Sequence, residues 1–215
     1  MCVRKRNLSL VVDGILSGII VCIGCSVYLN CDNKALGALL FSFGLFVIIV
    51  FRLGLFTGKA GYMAVRGKEY IPDVFITLIA NFIGNITGSF IIGATRFGSI
   101  YAQKASGILA PKLNDNILSS FILSFFCGIM MYIAVEGFER CAKSQNYIGT
   151  VLAIIMPVMI FVFCNFNHSI ADFAFFSISK FHNAKAAALY FPVIITGNAL
   201  GGMMLPFCKK LSENK

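Results

Sequence analysis

A polar knot interrupts the most apolar part of this 215-residue chain. Cys164-Asn165-Phe166-Asn167-His168-Ser169-Ile170-Ala171-Asp172 sets an imidazole, two amides and a carboxylate inside a run that is otherwise apolar from about Val151 to Ile178. Such groups are costly at membrane depth, and they are kept there to line a pathway or to pair inside the protein. The chemistry on offer is that of a polar waypoint: His168 can donate a hydrogen bond to a passing solute, or hand it a proton. A helix that only crossed a bilayer has no use for the knot, so the sequence predicts a broken helix around a transport site.

The surrounding elements are those of an all-α polytopic membrane protein. Hydrophobic residues make up 58% of the chain and charged residues 13%, more apolar surface than a soluble domain of this length could bury. Stretches long enough to span lie at about Leu8–Cys31, Leu36–Ala64, Val74–Ile100, Ile117–Phe138, Tyr147–Ile178 and Ala186–Phe207. They predict six transmembrane helices in one domain covering 1–215. Arg4-Lys5-Arg6 resembles the start of a signal peptide, but the apolar run behind it is too long and lacks a small-x-small cleavage site, so a retained first helix is expected.

Basic residues orient the chain. With the N-terminus inside, cytoplasmic segments collect Arg4, Lys5, Arg6, Arg66, Lys68, Arg140, Lys143, Lys209, Lys210 and Lys215, and outer segments collect Lys34, Arg96, Lys104, Lys112, Lys180 and Lys185. The excess predicts both termini in the cytoplasm, in a cell (inner or plasma) membrane. The net charge of +9 is also an attraction for anions. Its dispersal among loops argues against nucleic acid as a partner.

Eight cysteines lie mostly inside the spans, at spacings that fit no metal cage, and free thiols are expected. The isolated Cys22-x-x-Cys25 pair is read as helix packing. No metal and no cofactor are expected. With two histidines in all, haem ligation and metallohydrolase chemistry lack ligands, so the chain is not read as an enzyme.

The two halves repeat. Gly84-Asn85-Ile86-Thr87-Gly88 in the third span and Gly197-Asn198-Ala199-Leu200-Gly201 in the sixth share the pattern GNxxG, whose glycines permit close helix approach. Each follows a span interrupted by small and polar residues: Leu55-Phe56-Thr57-Gly58-Lys59-Ala60-Gly61 and the His168 knot. Three crossings per unit make the repeats, about 8–104 and 112–209, opposite in orientation. Such inverted repeats place a polar site near the midplane, where half-helix ends suit an anion. Gly58 and Gly61 permit the break.

Leu39-Leu40-Phe41-Ser42-Phe43-Gly44-Leu45, Leu55-Phe56-Thr57-Gly58 and His168-Ser169-Ile170-Ala171 together resemble the formate/nitrite transporter family of pentameric anion channels, which includes hydrosulfide channels. The resemblance covers nearly the whole chain. It implies an aquaporin-like inverted repeat with helices two and five broken, one pore per protomer and a homopentamer. By the same resemblance the central histidine is His168, faced by Thr57 from the first broken helix. Lys112, ahead of the fourth helix, attracts the anion, and Phe41, Leu45, Phe56, Phe161 and Met131 form the apolar constrictions. Asn165 and Asn167 join the substrate pathway, while Asp172, Asn85 and Asn198 support the broken helices with Gly58 and Gly61.

Departures from the family pattern are specific. Gly54 stands where the family has Glu before Leu-Phe-Thr-Gly, with Arg52 two residues earlier. Asn167 replaces a Glu, Asp172 an Asn, Lys59 an Asn, and Ser124 and Gly128 a Gly and an Asn. Charges at that depth need partners or a wet vestibule. Arg52 and Lys59 are expected to bond free carbonyls or an acidic side chain, with Asp13 and Glu136 as candidates, and Asp172 to hold the second broken helix.

The function implied is passage of small monovalent anions of weak acids, such as formate, nitrite or hydrosulfide, across the lipid bilayer. An ion crossing a dry constriction loses several kcal/mol of solvation and a neutral acid far less, so an attractor and a proton source are required. Proton transfer from His168 and protonation from water in a vestibule remain alternatives. A neutral-solute channel for water, glycerol or ammonia is the runner-up. The paired NPA signatures of water channels are absent, and His182 falls in an outer loop away from His168.

Overall fold

The computed structural model describes residues 3–213, with side chains from 5 onward; Cys2, Lys215 and the side chain of Arg4 lie outside the described residues. Nine α-helices form among the described residues, and no strands: α1 (Val3–Asn30), α2 (Lys34–Val50), α3 (Phe56–Ala60), α4 (Ile71–Gly93), α5 (Gly98–Leu113), α6 (Ile117–Lys143), α7 (Tyr147–Phe163), α8 (Ser169–Ile178) and α9 (Ala184–Glu213). The helices α1, α4, α6 and α9 are long and apolar enough to cross a membrane unbroken. The pairs α2/α3 and α7/α8 are the two broken spans. Six crossings with helices two and five interrupted is the architecture the sequence predicts.

Both breaks have the same backbone. At the end of α2, Arg52 takes the left-handed conformation with φ 55°, and Leu53 N–H returns to Ile48 C=O at 2.8 Å. At the end of α7, Asn165 does the same with φ 55°, and Phe166 N–H reaches Phe161 C=O at 2.9 Å. This six-to-one bond closes a helix end in the Schellman manner, and here it does so without glycine. Three non-helical residues follow in each case before the short helix begins, the last of them extended, so Leu55 and His168 occupy equivalent cap positions.

Each break is clamped by one buried asparagine from a long helix. Asn198 on α9 donates to Ser124 C=O at 2.7 Å and Asn167 C=O at 2.8 Å, and accepts from Ser169 N–H at 2.8 Å. Asn81 on α4 donates to Gly14 C=O at 2.9 Å and Gly54 C=O at 2.8 Å, and accepts from Phe56 N–H at 2.8 Å. The counterpart of Asn198 is therefore Asn81, one helical turn before the Asn85 that the GNxxG alignment selects. Asn85 instead crosses to the other half and donates to Ile170 C=O on α8 at 2.8 Å. Close approach explains the glycines. Gly84 packs against Ile15 and Gly18 of α1, and Gly201 against Phe125 of α6, leaving no room for a Cβ.

One element differs from the sequence reading. The third span is predicted to run to Ile100, followed by an outer connection, but α4 ends at Gly93 and a further helix, α5, follows. Its Gly98, Tyr101, Ala105 and Leu109 form a buried stripe at helical spacing, too sparse in large apolar residues to register as a span. Lys112 lies in its last turn, fixed by a helix rather than carried on a loop. The seven described cysteines are free, and Cys22 donates to Asn85 C=O at 3.2 Å, a packing role.

Candidate functional site

Four cavities follow one another through the bundle. A vestibule of about 540 Å³ opens at the end where α6 finishes; it is called proximal here because α1 starts and α9 finishes at that end. A central chamber of about 20 Å³ comes next, then a distal chamber of about 40 Å³ and a distal vestibule of about 320 Å³. Leu45, Ile48 and Leu55 line both the proximal vestibule and the central chamber, which makes them the first constriction. Phe41 and Phe161 line both central and distal chambers, and their rings meet edge to face at 6.1 Å, which makes them the second.

His168 faces both inner chambers and is the polar group in an otherwise apolar central lining that includes Met131 and Val158. Its ring stacks on Phe161 with centroids 5.3 Å apart. As the cap of α8 it accepts the Ala171 N–H on Nδ1 at 3.0 Å, and Nε2 lies 2.9 Å from Thr57 Oγ1. A nitrogen that accepts from a backbone N–H carries no proton, so the neutral ring holds its proton on Nε2 and donates it to Thr57. A second proton could go only to Nδ1, where it would face the Ala171 N–H and break the cap. The ring is thereby fixed as a neutral donor.

Several expected pathway residues sit elsewhere. Thr57 is fully buried and faces none of the four cavities; it lies behind His168 and holds the ring. Phe56 is also buried away from them, and its neighbour Leu55 supplies the constriction instead. Asn165 lines the distal chamber and distal vestibule. Asn167 lines the distal vestibule, and its Nδ2 donates to Ser120 C=O at 3.3 Å. Gly58 borders the proximal vestibule, while Gly61 packs against Gly202 and Tyr132. The constriction residues Leu55 and Ile48 were legible only as two apolar side chains among many.

Lys112 does reach the distal chamber, but not as a lone charge. Its Nζ lies 2.6 Å from Asp172 Oδ1, and Asp172 Oδ2 accepts the Tyr190 hydroxyl at 2.8 Å. Asp172 thus ties α8 to α5 and α9. The expectation for Arg52 and Lys59 is corrected. Lys59 donates to the Thr77 hydroxyl at 3.2 Å, and neither cation is in an ion pair among the described residues. The suggested acids are engaged elsewhere: Asp13 accepts from Ser9, and Glu136 from Arg140 and Tyr62. No group of His, Cys, Asp or Glu among the described residues could hold a metal ion.

Proteins with this plan are known. The family model described as formate/nitrite transporter matches residues 2–209. The formate channel FocA of Haemophilus influenzae is 26% identical over 150 residues, 65% of this chain. That match spans 52% of FocA, about half its length. An uncharacterized transporter of Bacillus subtilis, YrhG, is 24% identical over 184 residues, 79% of this chain and 68% of that protein. Among solved structures, a pentameric formate channel with formate bound superposes with a TM-score of 0.79 at 23% identity, over 100% of both chains.

Proposed function

The chain belongs to the formate/nitrite transporter family, and on that premise we propose that it is a channel for small monovalent anions of weak acids, formate, nitrite and hydrosulfide among them. The protomer is a multi-pass membrane protein, assembled as a homopentamer in the cell membrane with the proximal vestibule in the cytoplasm. The relative FocA and the superposed pentamer are formate channels, which supports both substrate class and assembly. The neutral-solute alternative draws support from none of these observations.

The observation that carries the reading is the neutral His168 donor held between two apolar constrictions. An anion loses several kcal/mol of solvation in such a chamber, whereas its conjugate acid loses far less. A solute therefore crosses as the neutral acid past an imidazole whose one N–H is held by Thr57, and takes its proton from water in a vestibule. His168 itself is not the proton source, because a neutral imidazole that gave up its Nε2 proton would become an anion. Of the two mechanisms open in the sequence, the geometry favours the vestibule.

Flux into liposomes of purified protein tests this, with formate, nitrite, hydrosulfide and glycerol compared across a pH series. Flux of the weak acids is expected to rise as pH falls, and to persist at reduced rate in His168→Ala. Lys112→Ala leaves Asp172 uncancelled beside the pathway, so its flux is expected to collapse. Glycerol passage without weak-acid flux would overturn the reading.

A further inference from the structure

The two ends of the pathway carry opposite charge balances. The distal chamber and vestibule are lined by one cation, Lys112, and two carboxylates, Asp172 and Asp115, and the lysine is committed to Asp172 at 2.6 Å. The proximal vestibule is lined by Arg52, Lys59, Arg66 and Lys143 against Glu136 and Glu139, and Glu136 is already paired with Arg140. Arg66 lies over the rings of Tyr62 and Tyr70. Arg52, Lys59 and Lys143 remain, and of these Arg52 and Lys59 are beside the first constriction.

Lys59 is placed there by the fold. It sits four residues beyond Leu55 in α3, where Asp172 sits four beyond His168 in α8, so equivalent positions carry opposite charges. Its ammonium occupies the space over Gly54: a Cβ there would lie 3.2 Å from Lys59 Nζ. Its one hydrogen-bond partner among the described residues is the neutral Thr77 hydroxyl. Lys59 lines the cavity of about 540 Å³, and its half-buried ammonium has two donors to spare; Asp73 and Asp13 bear on it from α4 and α1 but lie outside ion-pair distance, so it is the binding group for an anion. Arg52, on the left-handed residue of the break, adds a second cation at the same mouth.

We infer that Lys59 and Arg52 form an anion-binding site in the proximal vestibule, which recruits a small monovalent carboxylate or oxyanion from that side, while at the other the charge of Lys112 is cancelled by Asp172. This deepens the channel reading above and rests on it. The attractor sits at the proximal mouth, and the pathway collects anions at lower concentration from there than from the distal mouth.

Formate flux against formate concentration, at fixed pH and low salt, tests the site in right-side-out and inside-out membrane vesicles. Wild type is expected to half-saturate at a concentration roughly fivefold lower from the proximal side. Lys59→Gln is expected to raise that value several-fold, with a smaller shift from the distal side, and Lys59→Arg to keep it. Arg52→Asn keeps a side chain suited to the left-handed turn, as Asn165 shows at the equivalent position, and moves the same value even if Lys59→Gln fails to assemble. Asp172→Asn is expected to lower the distal value and shrink the asymmetry. Equal half-saturation from both sides in wild type, or neutral variants that shift both sides alike, would overturn the site and leave the channel reading standing. Wild type that passes no weak acid from either side would overturn both.

Discussion

The two broken helices are built alike and equipped differently. Each ends in a left-handed residue, each spends three residues outside any helix, and each is held by an asparagine that bonds two carbonyls and one N–H. On this shared frame the first break presents Arg52, Leu55 and Lys59, and the second presents Asn165, His168 and Asp172 at the matching places. The frame is set by backbone hydrogen bonds and the two asparagine clamps, none of which uses the side chains of Arg52, Leu55, Lys59, Asn165 or Asp172. The side chains are therefore free to differ, and the difference makes the pathway polar at one cap, apolar at the other, and unequal in charge at its mouths.

The comparison can be broken most forcefully at the clamps. Asn198→Ala and Asn81→Ala each strand one carbonyl of the break and one N–H in the interior and remove a bond to a helical carbonyl, a loss on the order of 4 kcal/mol. Thermal unfolding in detergent should show similar losses for both. A loss confined to Asn198→Ala would mean that the first break is held by something else.

The charged positions should respond unequally. Lys112→Met leaves Asp172 buried without its partner, and is expected to destabilise by about 3 kcal/mol. Lys59→Met removes a bond to a neutral hydroxyl beside an open vestibule and should cost about 1 kcal/mol or less. Denaturation of both proteins checks the ratio. Restoring charge neutrality with Lys112→Met and Asp172→Asn together should recover most of the first loss.

A smaller effect sharpens the contrast at the caps. Thr57→Val deletes the acceptor of the His168 N–H and should destabilise by about 1–2 kcal/mol. Nitrogen NMR of the imidazole should report the proton on Nε2 in wild type and remain so in Thr57→Val, because the Ala171 N–H still occupies Nδ1. A proton found on Nδ1 would mean that His168 is not the cap of α8.

How much was legible follows from the range of each interaction. His168 was found because one ionisable ring in an apolar run is a local anomaly, and the first break because Gly58 and Gly61 interrupt another. Phe56 and Leu55 could not be told apart in the same way. They are adjacent and both apolar, one the extended cap and the other the first residue of α3, so only packing decides which one faces the cavity. The GNxxG repeat misled by one turn, because Asn81-x-x-Gly84 matches Asn198-x-x-Gly201 as well as the Asn85 alignment does. Displacement by a full turn leaves a helix face nearly unchanged.

The sequence by itself determined the membrane setting, the six crossings, the two interruptions and the histidine between them, since each depends on the length and composition of a contiguous segment. Only the tertiary structure decided what the charges do. Lys112 and Asp172 are 60 residues apart and meet because α5 folds back against α8; Lys59 stays without an ion pair among the described residues while the carboxylates that bear on it, Asp73 and Asp13, bond Arg6 and Ser9. Whether a charge is an attractor or half of a neutral pair depends on a few ångströms between side chains on different helices, a distance that no local pattern encodes.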